Sequence, residues 1–316
     1  MQNRLVIFLD SVHPILEERL TQSGLVCLKD YDSSLDDLDK KLSNAYGIVI
    51  RSRFTINLDF LKRCPNLRFI ARSGSGLENI DTIVCEQRGI KIYNSPEGNR
   101  NAVAEHALSM LLNLMNNINK ADREIRGGVW NRESNRGEEL DGKTVGIIGY
   151  GNNGSAFAKK LRGFEIKLLA YDKYKTGFGD HFVQECTLEA IQQQADVLSF
   201  HIPQNEETQY FFNQDFLEKM QKPFYLLNLS RGKVVQTHAV VKGLETKKIK
   251  GAGLDVLEYE QKSFEAFFNQ ALPDTLTFLL GQQNVCLTPH VGGWTTESYE
   301  QLSSVLADKI LSDYLD

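Results

Sequence analysis

The sequence predicts an α/β protein made of two doubly wound parallel sheets, and three observations carry that expectation. Short apolar runs alternate with helix-compatible stretches along almost the whole chain, the order that puts helices on both faces of a parallel sheet. With 316 residues the chain exceeds the size at which one core usually stays undivided. Finally, the apolar run Thr144-Val-Gly-Ile-Ile148 breaks into Gly149-Tyr-Gly151-Asn152-Asn153-Gly154 and continues as a helix-compatible stretch through Arg162.

In chain order, Arg4-Leu-Val-Ile-Phe-Leu9 reads as a buried strand, and helix-like and strand-like stretches alternate after it up to Tyr93. Ile48-Val-Ile50 ends at Arg51-Ser-Arg53, and Leu67-Arg-Phe-Ile70 ends at Ser73-Gly-Ser75-Gly76. Both turns therefore fall at carboxyl ends of parallel strands, the edge where open α/β sheets bind ligands. The second is either a bare connection or a receptor whose backbone amides suit a carboxylate. Beyond Asn94-Ser-Pro-Glu-Gly98, the spacing of Ala104, Leu108, Leu111, Met115 and Ile118 predicts one long helix, from about Asn101 to Arg126, stopping at Gly127-Gly128. Such a helix could bridge domains or subunits.

The glycine stretch reads as strand, phosphate-binding turn and helix. Gly149 permits the turn, Gly151 lets the backbone approach a pyrophosphate, and Gly154 lets helix and strand pack closely; Asn152 and Asn153 stand at the helix start, facing the phosphates. A second strand, Lys167-Leu-Leu-Ala-Tyr171, ends at Asp172, eighteen residues beyond Gly154, where a dinucleotide fold places the acid that takes the adenosine ribose hydroxyls. That acid favours NAD over NADP. Further strands are expected at 196–200, 224–228, 249–254 and 285–287, and a closing helix from about Thr295 to Tyr314. The stretch 261–284 has no clean period and reads as a partly helical insertion.

A net charge of −5 gives no general attraction to nucleic acid or anionic membrane, and no apolar run approaches the roughly 20 residues of a membrane span. Five scattered cysteines, Cys27, Cys64, Cys85, Cys186 and Cys286, read as reduced cytosolic thiols, and no metal site is expected. The expected location is the cytoplasm.

Three residues at strand exits could perform hydroxy-acid redox chemistry, which needs a cation for the carboxylate and a proton carrier that titrates near neutrality. Arg231 follows the strand 224–228, Glu260 follows the strand ending near Leu254, and His290 follows the strand 285–287. Each alone is more often surface decoration than catalyst. Together their surroundings, Asn228-Leu-Ser-Arg231-Gly232, Leu254-Asp255-Val-Leu-Glu-Tyr-Glu260 and Pro289-His290-Val-Gly-Gly293, resemble the D-isomer-specific 2-hydroxyacid dehydrogenase family over essentially the whole chain.

The resemblance implies a Rossmann-type cofactor domain, 99–288, inserted into a flavodoxin-like substrate domain made of 1–98 plus 289–316. It implies NAD as cofactor, a 2-hydroxy or 2-oxo acid as substrate, and a crevice between the domains. Arg231 would bind the substrate carboxylate and carbonyl, His290 would be the acid–base group, and Glu260 would hydrogen-bond that histidine and raise its pKa. Asp255 would lie near the nicotinamide carboxamide, and Ser75 and Gly76 would offer amides to the carboxylate. A homodimer formed through the long helix is also implied.

Within the family, Ile50-Arg51-Ser-Arg53 and Arg126-Gly-Gly-Val-Trp130-Asn are most similar to members acting on the 3-phosphoglycerate and 3-phosphohydroxypyruvate pair. Arg51 is then either the phosphate contact or a solvated charge. Reductases of short unphosphorylated 2-oxo acids, and NAD-sensing corepressor-like proteins, share enough of the pattern to stand as alternatives. The chain departs from the family at Asn153, where an apolar residue usually packs the helix on the sheet, and at Gln261, where proline is common. A serine-sensing domain after the closing helix is not expected.

Overall fold

A computed structural model describes residues 4–260 and 271–314. It divides into two compact units, one running to Arg100 and resuming at Trp294, the other Asn101–Gly293.

In the first unit, β1 (Leu5–Phe8), α1 (Ile15–Gln22), β2 (Val26–Lys29), α2 (Asp39–Leu42), β3 (Ala45–Ile50), α3 (Leu58–Lys62), β4 (Phe69–Arg72), α4 (Thr82–Gln87) and β5 (Lys91–Asn94) alternate along the chain. The strands form a parallel sheet in the order β2-β1-β3-β4-β5, which reverses direction between β1 and β3. Because side chains alternate across a strand, the inner strands β1, β3 and β4 feed two cores. Ile7 and Leu9 join Ile48, Ile50 and Ile70 under Phe60 and Leu61 of α3. Val6 and Phe8 join Val49, Phe69 and Ala71 under Leu16 and Leu20 of α1. Gly47 is required for that second layer, since a Cβ there would lie 2.1 Å from the Phe69 ring.

The chain leaves this unit in α5 (Pro96–Met115) and re-enters it in the closing helix at Thr296–Tyr314, whose Leu306, Ala307 and Ile310 complete the second core. Gly98 makes room for the returning helix, because a Cβ there would come within 2.7 Å of the Leu302 backbone. Lys309 ties the two helices by pairing with Glu97 at 2.8 Å.

The second unit contains α6 (Ile118–Arg126), β6 (Thr144–Ile148), α7 (Asn152–Lys160), β7 (Lys167–Tyr171), β8 (Val183–Glu185), α8 (Leu188–Gln194), β9 (Val197–Phe200), α9 (Gln214–Lys219), β10 (Phe224–Asn228), α10 (Thr237–Glu245), β11 (Ile249–Leu254), α11 (Asp274–Gly281) and β12 (Val285–Leu287). The returning helix, Thr296–Tyr314, is α12. The strands run parallel in the order β12-β11-β10-β9-β6-β7-β8, with the reversal at β6 and β9. One face packs Ile148, Leu198, Phe200, Leu226 and Leu254 under α8, α9 and α10. The other packs Val145, Ile147, Val197 and Leu227 under α5 and α7. These are the two doubly wound sheets that the alternating pattern predicts, Rossmann-like in the second unit and flavodoxin-like in the first.

Two readings need correction. The expected helix from Asn101 to Arg126 is two helices, α5 and α6, separated where Asn117 adopts a left-handed φ of 53°. Moreover Ala104, Leu111 and Met115 of its apolar stripe are buried in the unit's own core, so most of that stripe is spent within the chain. Strand β8 was not expected, because its three residues carry too short a pattern to read. Position 261 and residues 262–270 of the expected insertion lie outside the described residues; its later part forms α11.

Candidate active site

The glycine turn has the shape its sequence implies. Gly149 takes a φ of 93°, and a Cβ there would come within 2.7 Å of the His201 carbonyl oxygen. A Cβ on Gly154 would lie 2.0 Å from the Gly149 carbonyl oxygen, so α7 can sit this close to β6 only with glycine at that place. Gly151 caps α7 in an extended conformation without a side-chain bond to the helix amides, and a Cβ on it would meet nothing within 4 Å. The helix start thus keeps open space and positive dipole on one side, which fits a pyrophosphate.

Asp172 terminates β7 beside this turn. Its Oδ2 accepts from the Tyr150 amide at 2.7 Å, and its Oδ1 accepts from the amides of Tyr174 and Lys175, both at 3.0 Å. Three of roughly four lone-pair positions are therefore engaged by backbone, and the carboxylate pins the turn. Neighbouring Lys173 pairs with Glu207, which neutralises the cation nearest in sequence. The Asn153 Oδ1 is buried with no hydrogen-bond partner among the described residues, a polar cost at the position where the family usually has an apolar residue.

His201, which sequence reasoning passed over, lies under the same turn. Its Nε2 meets Ser199 Oγ at 2.8 Å and its ring lies 5.4 Å from that of Phe157. Burial pushes the imidazole down to a pKa of about 4.

At the exits of β10, β11 and β12 stand the three expected polar residues, of which Glu260 and His290 pair with each other and Arg231 Nη1 donates to the Ser230 carbonyl at 2.7 Å. Asn228 is fully buried and shapes the first loop, accepting from Ser230 N and Oγ at 3.1 and 2.8 Å and donating to the Arg231 carbonyl at 3.0 Å. Gly232 then lets this loop press on the next one, since a Cβ there would lie 1.9 Å from the Leu257 carbonyl oxygen. Glu260 closes that second loop, its Oε1 accepting from the Leu257 amide at 2.5 Å and its Oε2 lying 2.9 Å from His290 Nδ1.

His290 has a left-handed φ of 55°, a conformation that costs a non-glycine residue about 1–3 kcal/mol and that recurs at functional sites. The Asp255 carboxylate accepts from Thr288 Oγ1 at 2.6 Å, Val291 N at 2.9 Å and Gly292 N at 2.8 Å.

The first unit presents Arg51, Ser75 and Gly76. The Arg51 guanidinium lies 4.4 Å over the Trp294 ring, and burial lowers its pKa. Its loop is set by Asp10, whose Oδ2 accepts from the amides of Arg51, Ser52 and Arg53 at 2.6, 3.0 and 3.2 Å. Arg53 is spent on structure, donating to the carbonyls of Leu9, Asp30 and Ser33. Ser75 is held by Asn99 at 2.9 Å and Asn94 at 2.7 Å. Arg72, not singled out from the sequence, packs so close to Gly74 that a Cβ there would lie 1.6 Å from its Nη1. Its signal was available, as an arginine at the last position of a strand entering a glycine turn.

A doubly wound sheet with an open helix start at its reversal point, and a histidine–carboxylate pair at neighbouring strand exits, defines a nicotinamide-dependent oxidoreductase. The comparisons with known proteins are narrower. Residues 108–292 match the model of the D-isomer specific 2-hydroxyacid dehydrogenase NAD-binding domain, and the chain belongs to that family. It is 32% identical over 278 residues to a hydroxypyruvate reductase of Thermotoga maritima, covering 88% of each chain. It is also 32% identical over 304 residues to a D-3-phosphoglycerate dehydrogenase of Archaeoglobus fulgidus, covering 95% of this chain but 56% of that one. A D-lactate dehydrogenase from Aquifex aeolicus, solved with NAD and lactic acid, superposes with a TM-score of 0.82 at 25% identity, covering 99% of this chain and 95% of that one. No described helix is long and apolar enough to cross a membrane.

Proposed function

We propose that this member of the NAD-dependent D-2-hydroxyacid dehydrogenase family interconverts 3-phosphoglycerate and 3-phosphohydroxypyruvate, the entry to serine synthesis. The observation that carries the phosphate is Arg51. Its guanidinium is drawn out of water onto the Trp294 ring and makes no hydrogen bond among the described residues, which leaves its donors for a tetrahedral anion.

In this reading the first unit is the substrate domain and the second the cofactor domain. Gly149, Gly151, Asn152, Asn153 and Gly154 would hold the pyrophosphate of NAD, and Asp172 the ribose diol. The bound nicotinamide supplies or receives the hydride. Arg231 takes the substrate carboxylate and polarises the carbonyl oxygen, while the amides of Ser75 and Gly76 receive the carboxylate. Glu260 accepts from His290 Nδ1 and so assigns proton exchange to Nε2. In reduction Nε2 gives its proton to the carbonyl oxygen; in oxidation it takes the hydroxyl proton.

The deciding experiment is NADH oxidation against phosphohydroxypyruvate, hydroxypyruvate, glyoxylate and pyruvate. Phosphohydroxypyruvate should have the highest kcat/KM, and Arg51→Ala should lower that value by about one to two powers of ten while leaving hydroxypyruvate little changed, since a charge-assisted hydrogen bond contributes roughly 1.5–3 kcal/mol. Absence of a phosphate preference in the parent protein would favour a hydroxypyruvate or glyoxylate reductase, a reading backed by the Thermotoga relative matched over 88% of each chain. No turnover with any of the four would point to a corepressor-like binding protein.

Assembly as a homodimer is part of the same proposal. Its support narrows to the end of that stretch, where Ile118 and Ile125 of α6 and, beyond it, Val129 and Trp130 are exposed, the last by 80%, with Ile125, Val129 and Trp130 lining a cavity of about 270 Å³. Sedimentation at micromolar protein should give twice the chain mass, and Trp130→Glu should give monomers. A cytosolic location rests on the five free cysteines and is checked by cell fractionation.

A further inference from the structure

We infer that His106, on helix α5, is a positioning residue for His290, acting through Thr288 and Asp255. The inference rests on the reading of His290 as the acid–base group. It starts from the left-handed backbone of His290, which something must hold. The His290 amide donates to the carbonyl oxygens of Asp255 at 2.8 Å and Thr288 at 3.0 Å, and the Asp255 carboxylate takes the next two amides, Val291 and Gly292. Gly292 is part of the clasp, since a Cβ there would stand 2.8 Å from Asp255 Oδ2.

Asp255 is only 2% exposed, so its charge needs every donor it can reach. The third is the Thr288 hydroxyl at 2.6 Å. An ionised carboxylate only accepts, so the single hydroxyl proton of Thr288 is committed to it. The Thr288 oxygen can then meet His106 Nε2, 3.1 Å away, only as an acceptor, which fixes the proton on that nitrogen. The same Nε2 lies 3.6 Å from Asp255 Oδ1. A directional chain results, from His106 Nε2–H to Thr288 Oγ1–H to Asp255 and on to the amides that follow His290. Its far end is anchored in a helix whose neighbouring Ala104 and Ala107 are fully buried, so the strained loop is referred to a rigid element.

The test uses the full chain with NADH and hydroxypyruvate, comparing Thr288→Val with Thr288→Ser and His106→Leu with His106→Gln. Thr288→Val should lower kcat about tenfold, the usual effect of losing one hydrogen bond to a charged group, and His106→Leu, which loses one to a hydroxyl, about three- to tenfold, with the NADH dissociation constant changed less than about twofold. The serine and glutamine variants, which keep the hydroxyl and the N–H, should recover most of that loss. Independently of turnover, the Val291 and Gly292 amides should exchange hydrogen about tenfold faster in the valine and leucine variants only. Parent-like kcat and exchange in Thr288→Val, or equal loss in Thr288→Ser and Thr288→Val, would overturn the inference. His290→Asn run alongside separates the two claims: full activity in that variant removes the acid–base reading itself, whereas an inactive His290→Asn with an unaffected Thr288→Val removes only the role of the chain from His106.

Discussion

The two units place polar groups on the same kind of edge but prepare them differently. At the strand exits of the second unit, preparation is by backbone and carboxylate: Asp172 takes three amides, Asp255 takes two amides and a hydroxyl, and Glu260 takes one amide and the His290 ring. The first unit has one such clasp, Asp10 on the amides of Arg51, Ser52 and Arg53, but adds cations: Arg51 lies on Trp294, and Arg72 packs on Gly74 inside a serine–glycine turn. A clasp built from main-chain amides tolerates no added Cβ and holds a fixed geometry. A stacked guanidinium depends on side-chain identity.

The largest effect that would test this contrast is at the end of the tightest clasp. His290→Asn should lower kcat by about 10²–10⁴ while NADH still binds, because the amide keeps the bulk but cannot carry the proton. Stopped-flow NADH oxidation and fluorescence titration report the two quantities separately. Weakened NADH binding comparable to the loss of rate would mean that His290 shapes the cofactor site rather than the proton transfer.

Gly154→Ala is expected to come next. Its Cβ would be 2.0 Å from a carbonyl oxygen, and overpacking of this kind costs about 1–3 kcal/mol, roughly one to two powers of ten in NADH affinity if the turn yields. By contrast a Cβ on Gly89 of the first unit meets nothing within 4 Å, so only its φ of 65° resists alanine. Equal NADH affinity in the Gly154→Ala protein and the parent would show that α7 can move away from β6 without consequence.

The smallest effect separates the units by acid. His201, held down to about 4 by burial, binds a proton in the unfolded chain near 6.5 before it can in the folded one. Its contribution to stability is present above 6.5 and declines as pH falls from 6.5 towards 4. In the first unit, Lys41 and Ser33 hold the Asp30 carboxylate down to about 2 from 3.8, so its contribution is present above 3.8 and is lost only as pH falls through that range. Hydrogen exchange during acidification should therefore loosen the second unit first. His201→Gln should narrow the gap, and loss of both units together at one pH would contradict it.

Much of this molecule is legible in the chain itself. Alternating apolar runs determine two parallel sheets, because a strand buried on both faces cannot hide its pattern. The glycines at 149 and 154 are likewise legible, because close approach of backbone to backbone admits few residue types. The strand-exit positions of Arg231, Glu260 and His290 follow from where the apolar runs stop. Other features were settled only in three dimensions. Nothing in the periodicity of Ala104, Leu111 and Met115 says whether a helix face meets its own sheet or another subunit; packing on Val145, Ile147 and Leu227 assigned it to its own. Nor could spacing join His106 to Thr288 across 182 positions, or show that Asp255 clasps the strained loop at His290. Hydrogen bonds between distant segments depend on angstrom-scale placement by the whole fold, and one-dimensional spacing carries no such information.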